Sequence, residues 1–333
     1  MERIITTTLN MKSSIKFCTA FFSFHGTSFC DPSWVARSQY IIAPAKYVPR
    51  IVQEAIIIIE LKKILKKEKI STIICLDEKA CKLAYLARQK NIKLVSWLHR
   101  SIDTFKNKKN IDLVDEHVAI SKEIGDQLKC ISDKPIQILH NCVSLEKYYS
   151  FVRREEGLSA FVYVGRIEFE SQKRLKDLLI AFANLNEANC KLHIVGDGAK
   201  TEVVKCDALC KKLSISNNVV FHGWHDDPWK YCFLNINNIV ALCLTSSYEG
   251  FPMVLIEAIS QGIPCISSNC PTGPAEIISD CNGFLYPPQD LKSLTSCMKK
   301  ALTQKFVQDK MIDSLRDLCS EKMYALRWEN IID

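Results

Sequence analysis

Several familiar sequence signals are missing from this chain, and each missing signal excludes a class of protein. The 333 residues contain no run of eighteen uncharged apolar residues, so no segment has the length and polarity of a membrane-spanning helix. Residues 1–12 alternate polar and apolar side chains and lack the apolar core of a signal peptide, which predicts a soluble cytoplasmic protein. Apolar residues make up 47% and charged residues 24%, ordinary values that exclude a disordered or fibrous chain.

Motifs for metal ions and common cofactors are also missing. The chain has 16 cysteines but no Cys-x-x-Cys, which argues against a zinc site and favours buried, reduced thiols. It has no Asp-x-Asp, so we predict no divalent metal held by such a motif. Gly196-Asp197-Gly198 follows a predicted strand, but Thr201 stands where a dinucleotide fingerprint needs glycine, and no Gly-Lys-Ser/Thr is present for a P-loop. Dehydrogenases and nucleoside triphosphatases are therefore disfavoured.

Glycine is scarce in the first half of the chain, which holds only Gly26 and Gly125 of the eleven glycines. Close approach of the backbone to a phosphate favours a residue without Cβ, so phosphate-binding loops are predicted in the second half. The net charge of +7 favours an anionic ligand or a membrane surface, and we predict no nucleic-acid partner.

Short β-branched segments alternate with helical patterns over most of the chain, which is typical of parallel strands joined by helices. Strands are predicted at residues 71–77, 93–98, 117–121, 161–165, 192–196, 219–223 and 239–245. Helices are predicted at residues 50–69, 78–89, 173–186, 201–213, 253–261 and 291–302. The polar, charged segment 148–159 predicts a linker, and therefore an α/β protein with domains 1–150 and 151–333.

The most informative segment is residues 246–258. A predicted strand ends there, Gly250 and Pro252 mark a tight turn, and a helix follows with Pro252 near its first position. The amides at the start of that helix have no partner within the helix, and the positive end of the helix dipole points outward beside them. The segment therefore predicts an anion site of a size that suits a phosphate.

Two glutamates flank this predicted anion site. Glu249 precedes the turn, and Glu257 lies roughly 7 Å along the helix, near the span from a diphosphate to a ribose diol. A carboxylate can accept hydrogen bonds from both ribose hydroxyls, so the arrangement suits a sugar nucleotide. The spacing alone leaves open the alternative that Glu249 caps the turn and Glu257 is an exposed helix residue.

Two cations are predicted at the carboxyl end of a buried strand, where open parallel sheets bind their ligands. The strand-like residues 161–164 lead into Gly165-Arg166, and Lys173 opens the next helix. Arg166 offers a planar fork and Lys173 a point charge, which together could neutralise a diphosphate leaving group. The alternative is that both are exposed surface cations.

These residues resemble the retaining glycosyltransferases of the GT-B architecture, in the large family marked by two glutamates eight positions apart. The resemblance covers about residues 71–302, where blocks typical of the family occur in order: Trp97-Leu-His99, His117-Val-Ala-Ile-Ser121, Leu139-His-Asn141, Val164-Gly-Arg166, Ile194-Val-Gly-Asp-Gly198, Phe221-His-Gly223-Trp224, Glu249-Gly-Phe-Pro252 and Cys270-Pro-Thr-Gly-Pro274. It implies two Rossmann-like domains facing each other across a cleft, with the last helix returning to the first domain.

The resemblance also implies roles for individual residues. Arg166 and Lys173 would hold the donor diphosphate, Glu249 would orient the transferred sugar, and Glu257 would bind ribose. His99 would face the donor sugar, the alternative being a core histidine whose hydrogen bonds are satisfied. The expected catalytic residues are Glu249, Arg166, Lys173 and His99. The expected donor-binding residues are Gly165, Gly250, Phe251, Pro252, Glu257, Gly196, Gly198 and Trp224.

The activity implied by the resemblance is transfer of a hexose, galactose or glucose, from a UDP-sugar to a glycolipid or oligosaccharide acceptor, in lipopolysaccharide core or another surface glycan. No cofactor beyond the UDP-sugar substrate and no metal are expected. Family members begin with a strand and a Gly-rich loop, but residues 1–15 show neither. The alternatives are a degenerate, non-catalytic nucleotide-sugar or carbohydrate-binding remnant and, third, a sugar-nucleotide epimerase.

A basic helical segment at residues 51–69 suggests contact with a membrane. It combines the apolar run 56–59 with Lys62, Lys63, Lys66 and Lys67, and could lay a basic amphipathic face on anionic lipid at the inner face of the plasma membrane. Peripheral contact would suit a lipid-linked acceptor. The alternative is a helix packed on its own sheet, with its lysines in solvent.

Overall fold

The computed structural model of the protein describes residues 18–24, 39–45, 47–145, 149 and 157–332. The chain divides into a first unit, Met1–Leu139 with Ala325–Asp333, and a second unit, His140–Tyr324. The predicted linker at 148–159 lies mostly outside the described residues, as do the atypical residues 1–15 and Gly26.

The first unit is built on parallel strands connected by helices. Its strands are β1 (Ala20–Phe22), β2 (Tyr40–Ile42), β3 (Thr72–Cys75), β4 (Lys93–Leu98), β5 (Glu116–Ala119) and β6 (Ile136–Ile138). Its helices are α1 (Arg50–Lys67), α2 (Glu78–Ala87) and α3 (Lys122–Lys129), with 3₁₀ turns at Ile102–Thr104 and Lys108–Leu113. Strands β3-β4-β5-β6 form a parallel sheet in that order, and β1 pairs with β2.

The centre of the first sheet is buried, which explains the nearly continuous apolar sequence of its strands. All four residues of β5 and five of the six residues of β4 are buried. Asp77 caps α2, because its carboxylate accepts hydrogen bonds from the amides of Lys79 and Ala80. Trp328, near the end of the chain, packs edge-on against Trp97 at 4.9 Å between ring centroids, which ties residues 325–332 to this unit.

The second unit has a larger sheet of the same kind. Its strands are β7 (Ser159–Val164), β8 (Cys190–Val195), β9 (Val219–Gly223), β10 (Ile239–Leu244), β11 (Cys265–Ser268) and β12 (Gly283–Tyr286). Its helices are α4 (Leu175–Leu185), α5 (Lys200–Lys212), α6 (Pro228–Asn235), α7 (Met253–Ser260), α8 (Pro274–Ile277), α9 (Leu291–Thr303) and α10 (Gln308–Cys319); α11 (Glu321–Ile332) begins here and ends in the first unit. The strand order is β12-β11-β10-β7-β8-β9, all parallel.

The centre of this sheet positions the candidate site. Every residue of β10 is buried, and β7 beside it is buried over Ala160–Tyr163, so these two strands are fixed by packing on both faces. Because the strands are parallel, the loops after β7, β8, β9 and β10 leave the same edge of the sheet. These loops carry the residues singled out in the sequence.

The predicted α/β class with parallel sheets is confirmed, and each predicted strand and helix has a counterpart in the structure. Each described cysteine is a free thiol, and most of them are buried, as predicted. None of the helices in the described ranges is long and apolar enough to cross a membrane.

Candidate functional site

A buried ion pair joins the loops that follow β7 and β10. Lys173 Nζ lies 2.7 Å from Glu249 Oε1, and the two side chains are 15% and 9% exposed. The hydroxyl of Ser246 donates to the same carboxylate oxygen at 2.6 Å. Within the described residues no hydrogen bond reaches the other oxygen of Glu249. The structure therefore brings Lys173 and Glu249 together and leaves one carboxylate oxygen available to a ligand.

Backbone contacts fix the two loops around this pair. The hydroxyl of Thr245 donates to the carbonyl oxygen of Lys173 at 2.8 Å, and the amide of Ser247 donates to that of Gln172 at 2.8 Å. The hydroxyl of Thr272, in the loop after β11, donates to the carbonyl oxygen of Glu249. Three loops of the same sheet edge thus hold the ion pair in one geometry, as a preorganised site requires.

Arg166 lies close to this pair in sequence but is held differently. Its guanidinium is 2.9 Å from Glu168 Oε1 and donates to Gln172 Oε1 at 3.1 Å, and its side chain is 64% exposed. The amide nitrogen of Gln172 in turn donates to the carbonyl oxygen of Tyr248 at 3.0 Å. Arg166 is therefore connected to the Glu249 loop through Gln172 and remains open to solvent, where an anion could compete with Glu168 for it.

A turn precedes α7, as the sequence predicts, but the helix begins one residue later than expected. The helix begins at Met253, and Pro252 is its N-cap rather than its first residue, with φ −74° and ψ 91°. No side chain caps the helix, so its first amides lack a side-chain acceptor. Phe251 and Pro252 are buried, so Gly250 ends the accessible part of the turn.

Glycines allow neighbouring loops at this edge to touch. Gly196 has φ +139°, and a Cβ there would lie 1.9 Å from the carbonyl oxygen of Gly165. A Cβ at Gly198 would lie 2.2 Å from the carbonyl oxygen of Ile167. Gly273, with φ +98°, brings the loop after β11 against Pro252 in the same way. Contact between loops therefore accounts for glycine at 196 and 198, independently of any ligand.

Glu257 is not an exposed helix residue, so that alternative is wrong. It is half-buried on α7, and the indole nitrogen of Trp229 donates to its Oε2 at 3.0 Å. Trp229 itself is 4% exposed and lies in the first turn of α6. The buried indole fixes the direction of the carboxylate, which a flexible surface glutamate would lack.

Trp224 follows the end of β9 and lies on the surface. Its side chain is 68% exposed, and its indole nitrogen is 3.4 Å from Asp226 Oδ1. Within the described residues no hydrogen bond joins it to the Lys173–Glu249 pair.

A second buried pair supports the turn and is not among the predicted site residues. His140 Nε2 lies 2.7 Å from Glu276 Oε2, and the His140 ring is tilted against Phe251 at 5.2 Å between centroids. Both side chains are more than 85% buried. The pair therefore ties the residues after β6 and helix α8 to the Phe251–Pro252 turn. The only sequence signal was the block Leu139-His-Asn141.

His99 belongs to the first unit, at the end of β4, and is an unusual core histidine. Its ring lies 4.3 Å from that of Trp97, and burial lowers the pKa of His99 to about 3, so the imidazole is neutral. Its Nε2 has no hydrogen-bond partner within the described residues. His99 is therefore a buried, neutral histidine, and its role beside the donor sugar stays a prediction.

The described ranges were searched for side chains that could bind a metal ion. There, no group of three or more His, Cys, Asp or Glu side chains could hold a metal ion.

Comparison with known proteins shows which family the chain belongs to. The pattern of the family "Glycosyl transferases group 1" matches residues 149–317, about half of the chain. The chain is also 35% identical over 306 residues to the lipopolysaccharide 1,6-galactosyltransferase of Escherichia coli (strain K12), covering 90% of this chain and 84% of that protein. The chain belongs to the group 1 family of glycosyl transferases.

Solved structures agree with this assignment. The apo form of the lipopolysaccharide outer core galactosyltransferase WaaB superposes with a TM-score of 0.84 at 32% identity, covering 99% of this chain and 93% of that one. Anabaena Alr3699/HepE in complex with UDP has a TM-score of 0.72 at 16% identity, covering 88% and 85%, and shows the shared fold. This glycosyltransferase therefore has the GT-B fold that the resemblance predicts.

Glu257→Ala in this glycosyltransferase should weaken UDP binding about tenfold or more, because a charge-assisted hydrogen bond to a ribose hydroxyl would be lost. At saturating donor the turnover number should change little, since the resemblance assigns this carboxylate to the ribose and not to the transferred sugar. Calorimetry with UDP measures the affinity, and steady-state kinetics separates KM from kcat.

Glu187→Ala, which removes an exposed glutamate of the same unit, is the matched control. Glu257→Gln keeps an oxygen that accepts the hydrogen bond of Trp229, so this variant should stay folded. Weaker UDP binding in Glu257→Gln would then reflect the lost charge and not unfolding. Unchanged UDP affinity in Glu257→Ala would remove this residue from the donor site.

Proposed function

We propose that the chain transfers a hexose, galactose in the first place and glucose as the second choice, from a UDP-sugar to a saccharide of the lipopolysaccharide core. The observation that carries the proposal is the buried Lys173–Glu249 pair beside the uncapped start of α7. The sugar and the acceptor are suggested by the similar galactosyltransferase of Escherichia coli and by WaaB. UDP is suggested by the complex of the structurally similar HepE.

In this proposal the donor diphosphate lies against three kinds of positive charge. Lys173 supplies an ammonium, Arg166 supplies a guanidinium that exchanges its contact with Glu168 for phosphate oxygens, and the first amides of α7 supply N–H donors. Glu257 then accepts hydrogen bonds from the ribose, with its carboxylate held by Trp229. No metal ion and no cofactor other than the UDP-sugar take part.

The proposed reaction retains the configuration of the transferred sugar. The acceptor hydroxyl oxygen bonds to the anomeric carbon on the face from which UDP leaves, while the bond between that carbon and the phosphate oxygen breaks. The electron pair of the broken bond stays on the diphosphate, and the hydroxyl proton passes to it. Lys173 and Arg166 stabilise that developing charge, and Glu249 orients the hydroxyls of the sugar, so positioning and electrostatics supply the rate.

The decisive experiment incubates the purified chain with labelled UDP-galactose or UDP-glucose and a series of defined truncated lipopolysaccharides. We expect transfer of galactose to one truncation, with the same rate in the presence of EDTA. Absence of UDP-sugar binding by calorimetry would refute the donor. Binding without transfer or hydrolysis would favour the non-catalytic remnant, and conversion of one free UDP-hexose into its epimer would favour an epimerase.

The location we propose is the cytoplasmic side of the plasma membrane, with peripheral contact through α1. Four side chains of α1 support this contact: Ile51 and Ile59 are exposed, as are the neighbouring Lys62 and Lys66. Apolar and cationic groups on one helix suit the surface of an anionic bilayer. Cosedimentation with phosphatidylglycerol vesicles measures this contact.

A further inference from the structure

The first unit contains a concave cavity that the proposed function does not use. It has a volume of about 380 Å³ and lies between α1, the start of α2 and the segment that follows β4. Phe24 and Leu83 give it an apolar wall, and Thr104, Asn107 and Asn110 add a hydroxyl and two amides. A volume of this size is at the lower end of small-molecule sites and accommodates a group the size of a monosaccharide.

Cations dominate the lining of this cavity. Five positively charged side chains contribute to it from three separate parts of the chain: Arg50, Lys79, Lys82, Arg100 and Lys106. Only two carboxylates, those of Glu54 and Glu78, accompany them. Like charges repel when they share a cavity, so their convergence favours an anionic occupant.

The two carboxylates are already engaged by three of the cations. Glu54 lies 2.7 Å from Lys82 Nζ and 3.4 Å from Arg50 Nε, and the hydrogen bond from Lys82 lowers the pKa of Glu54. Glu78, buried at the start of α2, lies 3.6 Å from a guanidinium nitrogen of Arg100. One carboxylate thus serves two cations, which leaves an excess of positive charge even among the paired groups.

The remaining two cations have no counterion among the residues that the structure describes. Lys79 and Lys106 are exposed, and neither ammonium group lies within ion-pair distance of a carboxylate in the described part of the chain. The backbone amide of Lys79 is satisfied by Asp77, so the start of α2 is not itself the anion site. The lysine ammonium groups are therefore the free donors that an incoming anion would meet first.

We propose that this cavity binds a dianionic phosphate monoester carried by the saccharide acceptor. The proposal rests on the proposed function, because it assigns to the first unit one substituent of the acceptor. Lys79 and Lys106 contact the phosphate oxygens, and the amides of Asn107 and Asn110 meet neighbouring sugar hydroxyls. We commit to a phosphate within a saccharide rather than to a lipid headgroup, because Thr104, Asn107 and Asn110 beside the cations offer donors and acceptors for several sugar hydroxyls.

The test compares acceptors that differ only in phosphate. Truncated lipopolysaccharide is used as a phosphorylated acceptor and, after phosphatase treatment, as its dephosphorylated form. For the wild-type chain we expect KM to be about tenfold lower with the phosphorylated form, the effect of one or two charge-assisted hydrogen bonds. The Lys79→Ala, Lys106→Ala double variant should lose this preference and keep its kcat and its KM for UDP-galactose. The preference should also shrink at high salt, since the lysines are exposed.

The matched control is Lys90→Ala, Lys109→Ala, which removes the same charge from exposed lysines of the same unit outside the cavity. It should keep the preference for the phosphorylated acceptor. Equal KM values of the wild type for both acceptor forms would overturn the proposal. Loss of phosphatidylglycerol vesicle binding in the cavity variant, with acceptor KM values unchanged, would assign the cavity to a lipid headgroup and would also overturn it.

Failure of the proposed function is distinguishable from failure of this proposal. Calorimetry with glucose 6-phosphate and with inorganic phosphate reports on the cavity without any donor, and UDP-galactose hydrolysis reports on the donor site without any acceptor. Glucose 6-phosphate binding that depends on Lys79 and Lys106 supports the phosphate site even if no sugar is transferred. Transfer that is indifferent to phosphate overturns the site and leaves the transferase activity standing.

Discussion

Lys173→Ala is expected to lower the turnover number for sugar transfer by about 100-fold or more, equivalent to about 2.7 kcal/mol of transition-state stabilisation. The side chain of Lys173 is 15% exposed and its ammonium lies 2.7 Å from Glu249, so in the proposed mechanism it is already in place when negative charge develops on the leaving diphosphate. A preorganised donor in a site that excludes much of the water contributes more than the same charge in solvent. Steady-state kinetics at saturating donor measures the effect.

The matched control for this prediction is Lys176→Ala, three residues after Lys173 in the first turn of α4. Lys176 is paired with Glu170 on the surface, and its removal should leave turnover within about twofold, because exposed ion pairs contribute little. Lys173→Arg keeps the positive charge but replaces a compact ammonium with a planar guanidinium. It should therefore recover only part of the wild-type turnover number. A wild-type rate in Lys173→Ala, with the melting temperature unchanged, would exclude Lys173 from the mechanism.

The architecture was predictable from the sequence because its strands are buried on both faces. Strands such as β7 and β10 read as nearly continuous apolar runs, and the helices between them have the period of one buried face. Parallel order then places the loops after these strands at one edge. For that reason Lys173 and Glu249, 76 positions apart, could be assigned to one site before their contact was known.

The short strands were harder to predict. Strands β11 and β12 have four residues each, and Cys265–Ser268 ends in two serines that are polar but buried. Such segments are strands because a neighbouring strand pairs with them, not because of their own composition. Strands β3 and β5 are equally short but were predicted, because their sequences continue into longer apolar or β-branched segments.

Two other side-chain contacts across the fold could not be predicted from the sequence. Trp229 donates to Glu257 across 28 positions, and His140 pairs with Glu276 across 136. The block Leu139-His-Asn141 marks His140 but not its partner Glu276, and a tryptophan near a helix start is equally compatible with packing alone. The structure therefore adds two contacts that no sequence pattern indicates: a buried neighbour holds the Glu257 carboxylate, and another packs against the Phe251 turn.

Glu249→Gln should reduce turnover by about 100-fold and change the affinity for UDP by less than about threefold. The amide keeps the shape of the side chain and an acceptor for Ser246, but it removes the negative charge beside Lys173 and leaves that ammonium buried without a counterion. The other oxygen of Glu249, which accepts no hydrogen bond from the described residues, is also replaced or weakened as an acceptor for the sugar. Kinetics with UDP-galactose measures turnover, and calorimetry with UDP measures affinity.

Substitutions of the two glutamates should therefore change different kinetic parameters. Glu257 variants should lose UDP affinity and keep turnover, whereas Glu249→Gln should keep UDP affinity and lose turnover, because we propose that Glu257 binds the nucleotide and Glu249 the transferred sugar. Glu170→Gln, which changes an exposed glutamate of the same unit, should change neither parameter.

In the Lys173→Ala, Glu249→Gln double variant the losses of turnover should be far from additive, since the two groups act as one unit. Additive losses, or a Glu249 variant that loses UDP affinity first, would show that the buried pair does not act on the sugar.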